Sequence, residues 1–230
     1  MDVIGGIAVN YQAEGNLDAA WRILSPYPFQ TPPEWAFVPY LDQYLLWRDY
    51  GFLIETIKAM NLGGGDYPPI VNAANDVLLA NLYFLNQQRD LAVSHAQKAE
   101  QEMRELREKK IILYELSAYY IQMTARAGNR AEMQREIDYV FAKMGDNNWL
   151  LPAAESWAAA GYALLGDLDK ALPLLQDSLS KPNGITTANL RLDPSVGPRA
   201  QRSALSEALP GKRAVNRKNL FAELKRRNLY

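Results

Sequence analysis

The chain has 230 residues, no cysteine, one histidine (His95), 25 Lys+Arg against 26 Asp+Glu, and 48% hydrophobic side chains. Disulfides, iron–sulfur clusters, thiolate zinc sites, cysteine nucleophiles and paired-histidine metal sites are excluded, and the apolar fraction is that of an ordinary folded protein of one or two domains. The charge is unevenly spread: residues 1–194 carry 16 basic and 24 acidic side chains (net −8), and residues 195–230 carry nine basic and two acidic (net +7).

In chain order, Ile4, Ile7, Ala8 and Tyr11 recur at i, i+3, i+4 and i+7, one face of a helix. Gly15 then tolerates a positive φ, Asn16 can cap the next helix, and Ala20 and Leu24 face back toward the first. The Pro- and aromatic-rich stretch 26–39 reads as a loop between units. Tyr44 leads to Asp49, Tyr50, Leu53 and Ile57. Gly63, Gly64 and Gly65 are followed by Asp66 rather than by Gly-Lys-Ser/Thr, so they read as a helix-ending loop and not a phosphate cradle. Tyr83 leads to Ala92, Ala96 and Ala99. His95 lies on this helix with no matched nucleophile or orienting carboxylate in sequence, and reads as a solvated surface histidine. The charge run 100–110, with Glu105 and Lys109 at i, i+4, reads as a solvated helix face. Gly128 and Asn129 lead to Met133 and Ile137, with Thr124 where other units have Tyr; the pair Glu132/Glu136 carries little meaning on helices rich in carboxylates. Pro152 starts a helix that continues through Ala158, Ala159 and Tyr162, and Gly166-Asp167 precedes Ala171 and Leu175. A short closing helix is expected at residues 186–190.

Two of these segments share the pattern Tyr-x3-Gly-[Asn/Asp]-Leu-Asp-x-Ala, starting at Tyr11 and Tyr162. With the weaker copies between them, the units are offset by 33, 39, 41 and 38 residues. No run shows sustained two-residue alternation bounded by hairpin turns, which argues against β structure. The pattern resembles the tetratricopeptide repeat (TPR): small and large apolar residues at set places in helix A, a Gly-Asp/Asn turn, and an Ala in helix B. The resemblance covers about residues 1–181. It implies an all-α, right-handed superhelical solenoid of about five TPR-like helix pairs, each burying its apolar face against its neighbours.

Residues 161–194, ending Leu190-Arg-Leu-Asp-Pro194, are also similar to the C-terminal TPR regions of large bacterial regulatory proteins. Those proteins join a winged-helix, nucleotide cyclase or Ser/Thr kinase effector to TPRs, often through a membrane segment. In that family the element continues x-Trp-Asp-Pro-x-Arg-x-Asp-Pro-Arg-Phe-Gln, whereas here Ser195-Val-Gly-Pro-Arg follows. Residues 195–207 can be back-translated so that the next reading frame gives Arg-Trp-Asp-Pro-Ala-Arg-Ser-Asp-Pro-Arg-Phe-Gln. A one-nucleotide slip after Pro194 is therefore hypothesised, and nucleotide sequence lacking that ending in a neighbouring frame would dispose of it. Residues 219–230 resemble the juxtamembrane start of a related membrane-anchored protein. The expected organisation is a TPR-like domain at 1–194 and a basic tail at 195–230, out of frame or read through, poorly ordered and not docked on the array.

The resemblance implies a non-catalytic protein-interaction or sensory module, a fragment of a larger signalling or transcription regulator, with no cofactor and no metal. Its partner would be a protein or peptide in a concave groove lined by helix A. Overlaying the units places Trp35, Asp42, Leu45, Asn81, Phe84, Tyr119, Gln122, Arg126, Ser156 and Trp157 there. Trp35, Phe84 and Trp157 either line that groove or pack between helices, and the sequence leaves both open. The family's carboxylate clamp for chaperone C-termini is not expected, because Gly5/Val9, Val38/Asp42 and Val77/Asn81 stand where Lys and Asn are needed. The isolated chain is expected in the cytoplasm, with a membrane involved only through a missing segment of its parent. The alternative is a nucleic-acid or anionic-membrane binder acting through the basic tail; salt-dependent binding that survives deletion of 195–230 would contradict this account of the tail.

Overall fold

A computed structural model describes residues 3–27, 37–61, 69–111, 114–181, 185, 186, 190 and 192–194. Among these residues there are ten α-helices and no strand. They are α1 (Val3–Ala13), α2 (Leu17–Leu24), α3 (Phe37–Trp47), α4 (Tyr50–Asn61), α5 (Pro69–Leu85), α6 (Arg89–Glu108), α7 (Tyr114–Arg126), α8 (Arg130–Met144), α9 (Leu151–Leu164) and α10 (Leu168–Ser180). Most of the expected loops, residues 28–36 (with Trp35) and 62–68, and the tail 195–230 lie outside the described residues. The proline-rich stretch ends earlier than expected: Phe37 already belongs to α3, with Pro39 in its first turn, where a missing N–H leaves no bond unmade.

Five turns join α1 to α2, α3 to α4, α5 to α6, α7 to α8 and α9 to α10 with one geometry. Each holds a left-handed residue, namely Gly15 (φ 78°), Arg48 (64°), Gln87 (61°), Gly128 (76°) and Gly166 (76°). The next residue's N–H returns to a carbonyl five positions back: Asn16 to Tyr11, Asp49 to Tyr44, Gln88 to Tyr83, Asn129 to Thr124 and Asp167 to Tyr162, all at 2.8–3.0 Å. This closes the end of each odd-numbered helix in the Schellman manner. Asn16 and Asn129 then cap α2 and α8, accepting from Ala19 N and Glu132 N at 3.2 Å, and Asp49 does the same for Phe52 N at 3.2 Å. Asp167 instead takes an ion pair from Arg130 at 2.8 Å.

Four residues into each even helix sits Ala20, Leu53, Ala92, Met133 or Ala171, each with no exposed surface. Across from them Ala8, Leu41, Ala80, Ile121 and Ala159 are at most 2% exposed. Each odd helix packs on the even helix after it, and the pairs α1–α3, α5–α7 and α7–α9 are also in contact. Ile7, expected on the buried face of α1, is 41% exposed; Ala8 is buried as expected, and Gln12 is buried beside that face, donating to Pro39 O at 2.7 Å and Gln43 Oε1 at 3.0 Å. The core is a succession of three apolar clusters. One runs through α1–α6 around Tyr40, Leu53 and Leu82, a second through α5–α7 around Tyr120 and Met123, and a third through α7–α10.

Gly161 on α9 marks a close approach between helices. A Cβ there would lie 2.6 Å from Ile121 Cγ2 on α7 and 3.0 Å from Met133 Sδ on α8. Leu190 is buried in the third cluster, and its N–H donates to Thr186 O at 3.1 Å, a helical i to i−4 bond within the expected closing turn. The bounds of that turn lie outside the described residues.

Candidate functional site

Four of the residues placed on helix A by overlay meet in one polar node. Tyr119 on α7 donates its hydroxyl to Asp42 Oδ1 on α3 at 3.2 Å. Asn81 on α5, 4% exposed, donates to Tyr119 O at 2.8 Å and to Val77 O at 3.1 Å. Its carbonyl oxygen accepts a hydrogen bond from Arg126, at the end of α7. The other arm of the Arg126 guanidinium donates to Pro194 O at 3.4 Å.

These bonds tie α3, α5 and α7 together through side chains.

The electrostatics are unusual for a helix surface. Burial, followed by the charge of Asp193, pushes the Asp42 carboxyl up to about 7 against the opposing Tyr119 hydrogen bond. Burial lowers Arg126 to about 10, with the Asp193 carboxylate working to raise it. Tyr119 is raised well above its ordinary value by burial and by Asp42 and Asp193. Near neutral pH the node thus combines a fixed positive charge at Arg126 with a carboxyl close to its midpoint and a phenol held neutral.

The remaining candidates are dispersed. Phe84 is half-buried between the first two clusters, Leu45 packs on the first, and Trp157 packs on the third. These are side chains built into the interfaces between helices, half-exposed at most. Gln122 is half-buried on α7, and Ser156 donates to Ala153 O at 2.7 Å on its own helix. Asp193 and Pro194, which complete the node, were not among the residues picked out by overlay; their place in Leu-x-Leu-Asp-Pro was the available signal.

Two other clusters correct the sequence reading. His95 is not a freely solvated histidine: its Nδ1 is hydrogen-bonded to Asp76 Oδ1 and its ring stacks on Tyr83 at 5.3 Å. Glu102 lies beside Asp76 and is pushed up to about 7, first by burial and then by the Asp76 charge. The run 100–110 is only partly a solvated face. Arg107 turns inward from it to pair with Glu132 at 3.0 Å and with Glu136. Glu132 also accepts from the Tyr120 hydroxyl at 3.0 Å and pairs with Arg135 at 2.9 Å. Glu132 and Glu136 are therefore buried structural anions. Burial opposes the charge of Glu132, but Arg107 and Tyr120 together hold its carboxyl below the ordinary value.

Among the described residues, no group of three His, Cys, Asp or Glu side chains is arranged to hold a metal, and no helix is long and apolar enough to cross a membrane. Comparison with protein-family models, with curated proteins and with solved structures finds no match to the chain.

Proposed function

We propose that the chain is a TPR-type interaction module: a right-handed solenoid of five helix pairs whose concave face receives a protein or peptide. The observation that carries this reading is the node itself. Asp42, Asn81, Tyr119 and Arg126 come from three helices and are joined by hydrogen bonds; on this reading they lie on the face that a helical array presents to its partner. The five like turns and the contacts of α1 with α3, of α5 with α7 and of α7 with α9 support the solenoid.

On this reading the module is non-catalytic and uses no cofactor. It would be the C-terminal part of a bacterial regulator, passing partner binding to an effector carried elsewhere, and the isolated chain would reside in the cytoplasm.

The test is selection of peptides from a random display library on the purified full chain and on its Arg126→Gln and Asn81→Ala variants. The reading expects enriched sequences that bind the wild-type chain and lose at least tenfold in affinity on either variant, with helical circular dichroism unchanged. No enrichment, or enriched peptides indifferent to both substitutions, refutes it. Parallel titration with a DNA duplex and with anionic vesicles, at low and at physiological salt, tests binding through the basic tail.

A further inference from the structure

Where segments meet, hydroxyl groups find partners in the chain itself: Ser178 Oγ donates to Pro152 O at 2.8 Å, and Thr186 Oγ1 to Ala13 O at 2.6 Å. The junction of α5 and α6 with α7 and α8 differs. A cavity of about 10 Å³ lies there, its lining apolar at Ile70, Leu106 and Leu116 and polar at Arg107, Ser117 and Glu136. Ser117 is 2% exposed, and the Glu136 side chain has no exposed surface. Two polar atoms of these lining residues are enclosed and lack a hydrogen-bond partner in the chain, Arg107 Nε from α6 and Glu136 Oε1 from α8. The rest of each group is engaged: Arg107 donates through Nη1 to Glu132 at 3.0 Å and through Nη2 to Oε2 of Glu136. The pair therefore meets along one edge and leaves one donor and one acceptor over.

Leaving both unmet is costly, since each gave up its hydration on folding. The Nε–H group can only donate and a carboxylate oxygen can only accept, so a single guest must accept from one and donate to the other. A cation would meet Glu136 but is repelled by the guanidinium. An anion would meet Arg107 but is repelled by Glu132 and Glu136. A neutral O–H group suits both. The volume then limits its size. A cavity begins to hold a water molecule at about 10–15 Å³, and a buried water makes about three hydrogen bonds to groups that would otherwise go unpaired. Ser117, whose hydroxyl both donates and accepts, offers the third position in the same lining. There is room for one water and for no larger alcohol or amide.

We infer that this cavity is the binding site of one water molecule, which accepts from Arg107 Nε–H, donates to Glu136 Oε1 and is met by the Ser117 hydroxyl. The water completes the buried Arg107–Glu136 pair and links it through Ser117 to α7. Its exchange requires the lining to open, so it is held far longer than a water on the surface. The inference goes beyond the interaction-module reading and stands or falls without it.

Two measurements on the full chain test it. A crystal structure at a resolution that shows ordered waters should place an oxygen at hydrogen-bond distance, about 2.5–3.2 Å, from both Arg107 Nε and Glu136 Oε1. In solution, water-selective NOE and ROE spectra should give cross-peaks at the Ile70 and Leu116 methyl groups that are opposite in sign between the two experiments, the signature of a water that outlasts molecular tumbling. Both signals should persist in Ser117→Ala, which removes a hydroxyl able to relay exchange with bulk water and leaves the two main partners. Both should disappear in the double variant Arg107→Met, Glu136→Met, with circular dichroism showing that it folds; where it does not fold, the wild-type and Ser117→Ala chains decide alone. Electron density without that oxygen, an ion in its place, a protein group bonded to either atom, or cross-peaks undiminished in the folded double variant overturns the assignment.

Discussion

Replacing Arg107 by methionine should destabilise the chain by about 3–4 kcal/mol at pH 7, and by less as the pH falls. The Glu136 side chain has no exposed surface, one of its carboxylate oxygens is held by Arg107, and the other is buried without a hydrogen-bond partner. Glu132 is better insured, since Tyr120 and Arg135 remain to it when Arg107 is gone. The loss therefore concentrates on Glu136. Leaving one member of a buried pair uncompensated costs about 3–5 kcal/mol. Protonation gives a second figure: neutralising an ordinary glutamic acid of pKa about 4.3 at pH 7 costs about 3.7 kcal/mol, and that route becomes about 1.4 kcal/mol easier per pH unit. The two values converge, and against a typical total of about 5–15 kcal/mol the variant should be visibly weakened. Urea unfolding followed by helical ellipticity at pH 7 and pH 5 measures it. The double variant Arg107→Met, Glu136→Met should recover most of the loss, because two apolar side chains replace a desolvated pair. A loss under about 1 kcal/mol, or one that is the same at both pH values, would refute the reasoning.

Other substitutions probe the turns, the close helix contact and the node. Gly128→Ala should cost about 1 kcal/mol in urea unfolding: a Cβ there meets nothing within 4 Å, so the penalty is that of a left-handed backbone alone. Gln87→Gly, at a like turn, should come out neutral or slightly stabilising, and a loss comparable to that of Gly128→Ala would count against the shared geometry. Gly161→Ala gains about 1 kcal/mol of helix propensity, but should still show a net loss of about 1–2 kcal/mol in thermal or urea unfolding, because the β-branched Ile121 has little freedom to move away. Asp42 is held near 7 in the folded chain, above its ordinary value, so the folded state binds the proton more tightly than the unfolded one. Its contribution is fully present below the ordinary carboxylate range and is lost as the pH rises through 7. Asp42→Asn should therefore be more stable than wild type at pH 8 by about 1 kcal/mol or more and lose that advantage toward pH 4; urea midpoints at pH 4.5, 6 and 8 test this.

The turns were legible where composition and conformation coincide. Gly15, Gly128 and Gly166 announce left-handed backbone, while Arg48 and Gln87 adopt it without a glycine, so their units look degenerate although the turn is the same. Helix-face periodicity located Ala8, Ala20, Ala92 and Ala171, because burial repeats with the helix. It failed at Ile7, where the apolar pattern extends past the face that is covered. In the site, overlaying the units placed Asp42, Asn81, Tyr119 and Arg126 on one side, since register alone determines that. The bonds among them span 38 to 77 residues, and no local pattern encodes such pairings. The same holds for His95 with Asp76 and for Arg107 with Glu136: a polar side chain facing a neighbouring helix reads as solvated until that helix is in place.

The hydrogen bond from Thr186 to Ala13 joins positions 173 residues apart. A row of helix pairs bound only to nearest neighbours behaves as a spring: its ends fray independently and its pitch changes under load. A strut between the first helix and the stretch after the last converts the spring into a closed frame. With the strut engaged, twisting or stretching the array must break the contact first, so the pairs in the middle share strain with both ends. Breaking that one contact would then be read out as a change in mechanical compliance along the described helices, from α1 to α10.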